Sequence, residues 1–474
     1  MMWQTVAVEL GVCAWVIVLL VRDIFTKATS VAKPWKLALA GLVALAAILW
    51  WQQPYIGSPS DPMFTLDRFA WTFKAFFLIT TAVVVLMTRA YTRHLAANVG
   101  EFYLLVFCAL LGMLTLASVR DLLLLFVGLE LLTFSLYVMV AYLKQEAASI
   151  EAGMKYLVIG SVSSGLLVYG ISLLYGASGT TSFAGLRQAF AGGPLPPMAT
   201  AGLLLVMAGL GFKVAAVPFH LWVPDVYEGA PTPVAALLSV GSKMAGVVAL
   251  LRLLYGAFLP AQAIWSPVLA VLAAATILYG NLAALPQTNI KRLLGYSSIG
   301  HAGYLLMGLS TATASGASAI GFYLLAYMVS NLAVFFVVVV ASEALESDHL
   351  DAYNGLARRS PMLAATMFVG LLSLAGVPPL AGFVGKLLVL LATVRTGRLW
   401  LALIGAANVA VSLYYYLMVV KRMYAGTPSS NTPIAVDGLT KATLFALLIA
   451  ILAIGVFSQP SLELASSAAA SLLQ

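Results

Sequence analysis

Five residues of this sequence offer acid–base chemistry inside surroundings that do not favour charge. Glu130 sits within Phe126-Val127-Gly128-Leu129-Glu130-Leu131-Leu132, and Lys213 lies five residues before Pro218. Lys243 sits within Ser239-Val240-Gly241-Ser242-Lys243-Met244, His301 closes Tyr296-Ser297-Ser298-Ile299-Gly300-His301, and Lys386 follows Gly382-Phe383-Val384-Gly385. A charge at the centre of a bilayer costs roughly 2.5–3.5 kcal/mol, so several unpaired ones cost on the order of 10 kcal/mol. Leucine would pack there without that cost, so packing does not explain them. The pattern points to a chain of titrating sites, because desolvation makes protonation responsive to a neighbour's charge. Glu130 and Lys213, placed near each other, form a pair that an arriving or departing proton would switch. His301 has a second reading, as a buried histidine satisfied by Ser297 one turn back. His220, Asp225 and Glu228 read as caps or loop charges approaching the cytoplasmic surface.

The elements that must position these residues are membrane helices. Of 474 residues, 62% are hydrophobic and 9% charged, where a soluble domain is close to a quarter charged. Mean hydropathy is +1.00. Apolar stretches of about 20 residues, each able to span roughly 30 Å of hydrocarbon, recur at 3–21, 35–52, 70–88, 101–118, 121–142, 151–175, 201–226, 232–258, 264–284, 290–310, 317–342, 362–395, 399–422 and 439–458. The fold class is an all-α polytopic membrane protein of about 14 crossings, in contact with membrane lipid and with no soluble domain. The net charge of +8 belongs to loops; no basic cluster is interleaved with aromatics, which argues against nucleic acid as a partner. The stretch 3–21 reads as a retained helix rather than a signal peptide, since no basic residue precedes it and Arg22 follows it. Cys13 and Cys108, each inside an apolar stretch, are too few for an iron–sulfur cluster or structural zinc, which need about four ligands. They read as apolar cysteines, with a disulfide left open.

Lysine and arginine in the connections set orientation. Odd-numbered loops and their edges hold 15: Arg22, Lys27, Lys33, Lys36, Arg89, Arg93, Lys144, Lys155, Lys291, Arg292, Arg358, Arg359, Lys421, Arg422 and Lys441. Even-numbered loops hold 6: Arg68, Arg120, Arg187, Arg252, Arg395 and Arg398. The excess places odd loops in the cytoplasm and both termini on the outer, periplasmic side. Lys74 lies near the end of its stretch and belongs to neither count.

Two stretches are irregular. The seventh is interrupted by Pro218 and again by Pro224; the twelfth is too long for one straight crossing and carries Pro378-Pro379. Proline removes a backbone donor and frees a carbonyl one turn back, and in hydrocarbon a freed carbonyl needs protein or a water-filled cavity. Ala215-Ala216-Val217-Pro218 matches Ala375-Gly376-Val377-Pro378 at an offset of 160. The match pairs a first set of five stretches, 101–258, with a second, 264–424. An odd number of crossings per set makes the two inverted, an arrangement that points to an ion pathway at the breaks. Residues 1–100 supply three leading helices and 438–474 a closing helix and tail.

The run Phe212-Lys213-Val214-Ala215-Ala216-Val217-Pro218-Phe219-His220-Leu221-Trp222-Val223-Pro224-Asp225-Val226-Tyr227-Glu228-Gly229-Ala230-Pro231-Thr232-Pro233 resembles the signature of the subunit N family of bacterial respiratory complex I, the counterpart of mitochondrial NADH dehydrogenase subunit 2. Gly128-Leu129-Glu130-Leu131, Glu151-Ala152-Gly153-Met154-Lys155-Tyr156 and the stretch from Asn289 to His301 fit as well. The resemblance covers nearly the whole chain and is weakest in the first 100 residues. Siblings L and M differ: they usually read His-x-Trp-Leu-Pro-Asp-Ala-His after the break, where this sequence follows Asp225 with Val226-Tyr227-Glu228, Lys386 stands where M typically has glutamate, and no lateral helix of the L kind follows.

The resemblance implies an antiporter-like subunit of a proton-translocating NADH:quinone oxidoreductase in a bacterial inner membrane. The 101–258 set forms the cytoplasmic-side half-channel and the 264–424 set the outer one. Glu130 and Lys213 match the family's paired glutamate and broken-helix lysine, Lys243 the connecting lysine, His301 a central relay and Lys386 the lysine leading outward. It implies neighbours M and K and a peripheral redox arm, with FMN, iron–sulfur clusters and quinone in those partner subunits and no cofactor in this chain. No dinucleotide fingerprint, phosphate-binding loop or haem-attachment motif occurs in the sequence. A subunit of a multisubunit sodium/proton antiporter or of a membrane-bound hydrogenase is the alternative; a stand-alone solute carrier, which would need a substrate cavity at the breaks, is the third reading.

Overall fold

The computed structural model describes residues 2–25, 34–58, 61–91, 95, 99–428, 430 and 432–473. Of the basic residues counted above, Lys27, Lys33 and Arg93 fall outside them. The chain is 82% helical, with no strand among the described residues. The principal helices are α1 (Ala7–Phe25), α2 (Pro34–Trp51), α3 (Arg68–Ala90), α4 (Val99–Ser118), α5 (Leu122–Val140) and α6 (Ala147–Ser178). Then come α7 (Pro197–Val214), α8 (Val223–Gly229), α9 (Thr232–Gly256), α10 (Gln262–Ala284), α11 (Ile290–Ser310) and α12 (Ala314–Leu345). The last are α13 (Pro361–Ala375), α14 (Ala381–Arg395), α15 (Leu399–Ala425), α16 (Gly438–Val456) and α17 (Ser458–Leu472).

Among the described residues, eleven helices are long and apolar enough to cross a membrane. The exceptions have visible causes. Helix α1 carries Glu9, Arg22 and Asp23, α11 opens on Lys291 and Arg292 and is rich in glycine and serine, and α13 and α14 are the two halves of a broken stretch. Several apolar runs start where a polar side chain takes up free amides of the first turn. Asp67 accepts from Ala70 N at 2.7 Å, Asp121 from Leu123 N at 2.8 Å, and Asn289 from Lys291 N at 2.9 Å.

Helices approach most closely where a side chain is missing, as expected when lipid supplies no hydrophobic drive and contact must come from close packing. A Cβ on Gly112 would lie 2.7 Å from Gly128 O, fixing α4 against α5; one on Gly280 would lie 2.3 Å from Gly300 N, fixing α10 against α11. These are corresponding pairs of the two five-stretch sets. Other contacts repeat likewise: α5 on α6 and α11 on α12, α6 on α7 and α12 on α13, α4 on α9 and α10 on α15. The sets meet where α8 touches α11 and the middle of α9 touches α12. Every residue of the most apolar 18-residue window in α9 is buried, and 94% of that in α12. Their polar side chains therefore face protein, not lipid.

One ion pair ties two leading helices together, and a second joins them to this core. Lys74, fully buried on α3, holds its amine 2.8 Å from Glu9 of α1, a charge contact without the alignment of a hydrogen bond. Arg252 near the end of α9 binds both oxygens of Asp67 at 2.5 and 2.7 Å, and its Nε donates to Ala117 O at 2.9 Å. Helix α17, which the sequence reading left as tail, packs on α12 and α3. Ser471 Oγ accepts from Phe69 N at 2.9 Å, sharing the head of α3 with Asp67. Cys13 is exposed and Cys108 half-buried, both as free thiols.

Burial alone would raise the Asp67 carboxyl, but the Arg252 charge and hydrogen bonds, the Ala70 amide and the Lys74 charge together hold it below its ordinary value. A carboxylate depressed in the fold stabilises above its unfolded value of about 3.9 and stops doing so as pH falls through its folded value. Asp67→Asn, which leaves Arg252 buried without a counter-charge, should cost roughly 3–5 kcal/mol near neutral pH. The gap in melting temperature between wild type and variant, measured in detergent, should hold above about pH 5 and narrow as the solution becomes more acid.

Candidate functional site

The chain of buried groups starts at the first helix break. Helix α7 ends at Val214 because Ala215 turns into the left-handed region, φ +64°. Ala216 N then closes on Gly211 O at 2.9 Å, and the Trp222 indole donates to Phe212 O at 3.1 Å. Pro218 lies inside the break. Pro224, read from the sequence as a second interruption, instead sits in the first turn of α8, where its missing N–H costs nothing. Lys213 occupies the last turn of α7, where the helix's free carbonyls favour a cation.

Lys213 Nζ donates to Thr133 Oγ1 at 2.9 Å and to Tyr156 OH at 3.3 Å. Thr133 spends its own hydrogen on Leu129 O at 2.6 Å, so toward Lys213 it acts as acceptor. Glu130 stands one turn before Thr133 on α5. Its Oε1 accepts from Ser164 Oγ at 2.5 Å. Glu130 and Lys213 make no ion pair within 4.0 Å. In this structure the pair stands open, each partner held by its own hydroxyl.

Lys243 opens the regular part of α9, directly after a π-helical turn at Leu238–Ser242. Such turns widen the helix locally and are frequent at functional sites. The Lys243 amine donates to both the carbonyl and the hydroxyl of Ser298 on α11. Ser298 Oγ is shared with Tyr227 OH at 3.1 Å and Tyr327 OH at 3.2 Å. Tyr327 OH also meets Ser239 Oγ at 2.8 Å. One turn on, His301 holds Tyr323 OH at 2.7 Å through Nδ1 and Tyr416 OH at 3.3 Å through Nε2. Ser297 bonds Tyr416, not His301. The His301 ring lies 4.9 Å from that of Tyr327, so Lys243 and His301 share this tyrosine.

The second break separates α13 from α14. Gly376, φ +91°, ends α13, and Val377 N closes on Leu372 O at 3.0 Å. The break leaves the Ala375 carbonyl open, and Lys386 Nζ donates to it at 2.9 Å while lying 5.0 Å from the Tyr304 ring centre. His301, Tyr323, Ser373 and Lys386 line one small cavity.

The residues flanking the first break divide. Asp225 and Glu228 join a rim cluster: Asp225 meets Lys155 at 2.6 Å and Arg292 at 2.7 Å, and Glu228 meets Arg292 at 2.8 Å. His220 is buried with neither ring nitrogen hydrogen-bonded, against the Tyr279 ring at 4.3 Å. The sequence reading passed over the tyrosines that knit the amines together: Tyr156, Tyr227, Tyr323, Tyr327 and Tyr416. The signal was present for all but Tyr227, since each of the others puts a phenol inside an apolar stretch where phenylalanine would need no partner. Among the described residues no group of three or more His, Cys, Asp or Glu could hold a metal ion.

Two helices broken beside buried lysines, in a bundle of this packing, define an antiporter-like membrane subunit. Consistently, the family model described as NADH:quinone oxidoreductase/Mrp antiporter, TM, matches residues 119–412. The NADH-quinone oxidoreductase subunit N of Desulforamulus reducens is 43% identical over 436 residues, covering 92% of this chain and 91% of that protein. The chain belongs to the family of NADH-quinone oxidoreductase N subunits. A chain in the structure of respiratory complex I from Thermus thermophilus with bound aureothin superposes with a TM-score of 0.84 at 33% identity, covering 97% of this chain and 99% of that one. A chain of the Mrp complex from Dietzia sp. DQ12-45-1b, 23% identical with a TM-score of 0.87 and coverage of 100% and 98%, shares the fold.

A Cβ on Gly376 would lie 2.9 Å from Lys386 Cδ and would have to adopt a φ of +91°. Gly376→Ala should therefore destabilise by about 2 kcal/mol, read as a lower melting temperature. A structure of the variant should show the Lys386 amine displaced from Ala375 O.

Proposed function

We propose that this chain is the N subunit of a proton-pumping NADH:quinone oxidoreductase, and that it carries protons from the cytoplasm outward through Glu130, Lys213, Lys243, His301, Lys386 and water. The observation that carries this reading is the run of buried amines and hydroxyls through the middle of the bundle. Lys213 rests on Thr133 and Tyr156, Lys243 on Ser298, and His301 on Tyr323 and Tyr416. Hydroxyls and imidazoles both give and take hydrogen bonds, so they suit proton transfer. Redox chemistry, with its FMN, iron–sulfur clusters and quinone, belongs to other subunits of the complex; quinone reduction there drives this chain. The relatives' names support this reading over a sodium/proton antiporter or hydrogenase subunit.

The architecture that goes with it has about fourteen crossings, both termini on the outer side of the bacterial inner membrane, and two inverted five-helix repeats at 101–258 and 264–424. The matching helix contacts of the two sets and the paired breaks support the repeats. Subunits M and K are the proposed neighbours. The Glu130–Lys213 pair is the switch. Closed, it holds charge on both groups; open, as here, it leaves the lysine proton free to move inward.

The test is Lys213→Ala in the assembled complex, reconstituted in vesicles. Proton pumping and coupled quinone reduction should both fall, on the order of a hundredfold if Lys213 transfers protons. Normal pumping by an assembled variant would sink the assignment of roles.

A further inference from the structure

Where α3 and α5 begin and α9 and α17 end, the fold leaves an open cavity of about 530 Å³, a size within the roughly 300–1,000 Å³ of sites that hold a small molecule. Its charge is one-sided. Of the six basic residues in the even-numbered loops, Arg120, Arg187 and Arg252 all line it, and among the described residues Asp67 is the one acid that does. Arg120 stands just before α5 and Arg187 on the short helix Phe183–Ala189. Both are exposed, and neither guanidinium has a hydrogen bond or ion pair among the described residues.

Arg252 lies deeper, 5% exposed. A guanidinium carries five N–H groups; here one meets Ala117 O and two meet the Asp67 oxygens. One N–H on each terminal nitrogen is left without an acceptor, in a side chain that borders the cavity. A buried charged donor left unmatched is costly, so an acceptor belongs there. Asp67 opposes an anion weakly, because Arg252 binds both its oxygens and the Ala70 amide one of them. Two free forks and two further N–H groups call for more acceptors than the two oxygens of a carboxylate. A phosphate, with oxygens on several sides, supplies them.

The surroundings put the cavity at the depth of lipid headgroups. Trp50, Trp51 and Tyr55 lie at the neighbouring end of α2, and Trp71 in the first turn of α3. Trp51 packs on Trp3 at 5.7 Å and on Tyr55 at 5.2 Å. Such aromatic clusters mark the membrane–water boundary. From Arg120 onward, α5 exposes Leu123, Val127, Phe134 and Val138, at steps of four, seven and four residues that keep to one face of a helix. An apolar stripe thus runs from the mouth of the cavity into the depth of the hydrocarbon.

We propose that this cavity binds the phosphate of an anionic phospholipid, held by Arg120 and Arg187 at the mouth and by Arg252 beneath, with the acyl chains along α5. The bound headgroup touches residues of α9 and of the loops leading into α3 and α5, and so joins a leading helix to the first five-helix set. The proton path proposed above does not depend on it.

The test uses the assembled complex, stripped of lipid in detergent and equilibrated with micelles containing dilauroyl phosphatidylglycerol over a range of mole fractions. Lipid retained per complex is counted by mass spectrometry. The double variant Arg120→Gln/Arg187→Gln should reach the wild-type count only at a lipid fraction about tenfold or more higher. Arg395→Gln, which removes an exposed arginine from another even-numbered loop, should match wild type. With dilauroyl phosphatidylcholine, wild type and double variant should not differ. A double variant that retains phosphatidylglycerol as wild type does overturns the site. An equal loss in Arg395→Gln, or with phosphatidylcholine, reveals a general response to charge or lipid and overturns it too. If inorganic phosphate binds stripped wild type but not the double variant, and phosphatidylglycerol binds neither, the free anion is the ligand and the lipid assignment falls. A structure of the complex with a neighbouring subunit's carboxylate between Arg120 and Arg187 overturns the proposal as well.

Discussion

An ammonium in a medium without water has to be given oxygen, and this fold is arranged around that need. In a continuous helix every carbonyl short of the last turn is committed to an amide one turn away. The breaks after Val214 and Ala375 release carbonyls and reshape the helix ends. Each provides the negative end of a helix dipole in the bundle interior, and each has a lysine beside it. Remove the second break, and Lys386 loses the Ala375 carbonyl it donates to; Lys213, at the end of its helix, takes its oxygens from Thr133 and Tyr156. The close glycine contacts, the polar caps and the buried ion pairs hold the helices so that these sites stay covered.

The central residues solve the same problem differently. Lys243 lies within a helix, and its oxygen comes from a partner helix, through Ser298. The π-helical turn just before it sits where the two five-helix sets meet. His301 needs no charge partner and is satisfied by two phenols. Tyrosine is thus the recurring second member of the chain. It is buried at the cost of one hydrogen bond, which it makes with an amine, an imidazole or a serine, and its ring stacks against its neighbours.

Much of this was legible in the residues. Hydropathy gave the helices, because a membrane leaves few alternatives for a backbone. Prolines gave the breaks, and isolated charges in apolar stretches gave the five candidates. What stayed hidden depends on side-chain direction. Lys74 read as a stray charge near a helix end, yet it lies fully buried against Glu9, some sixty residues earlier in sequence. Ser458–Leu472 is too rich in serine and alanine to register as a membrane element, although it packs along α12. Pro224 read as a break because proline usually is one, whereas here it begins a helix. Glu130 and Lys213 read as a pair that a proton would switch if they lay near each other; the hydroxyls that each meets instead carry no signal in spacing.

The two breaks share a motif but treat their lysines unequally. Lys213 donates to hydroxyls, which can pass a proton onward. Lys386 donates to the Ala375 carbonyl, which can only accept a hydrogen bond. The two breaks, alike in sequence, thus differ in the acceptors they set before their lysines: two hydroxyls that can also donate at the first, one carbonyl that cannot at the second. On the function proposed above, that difference gives two similar five-helix sets a built-in polarity.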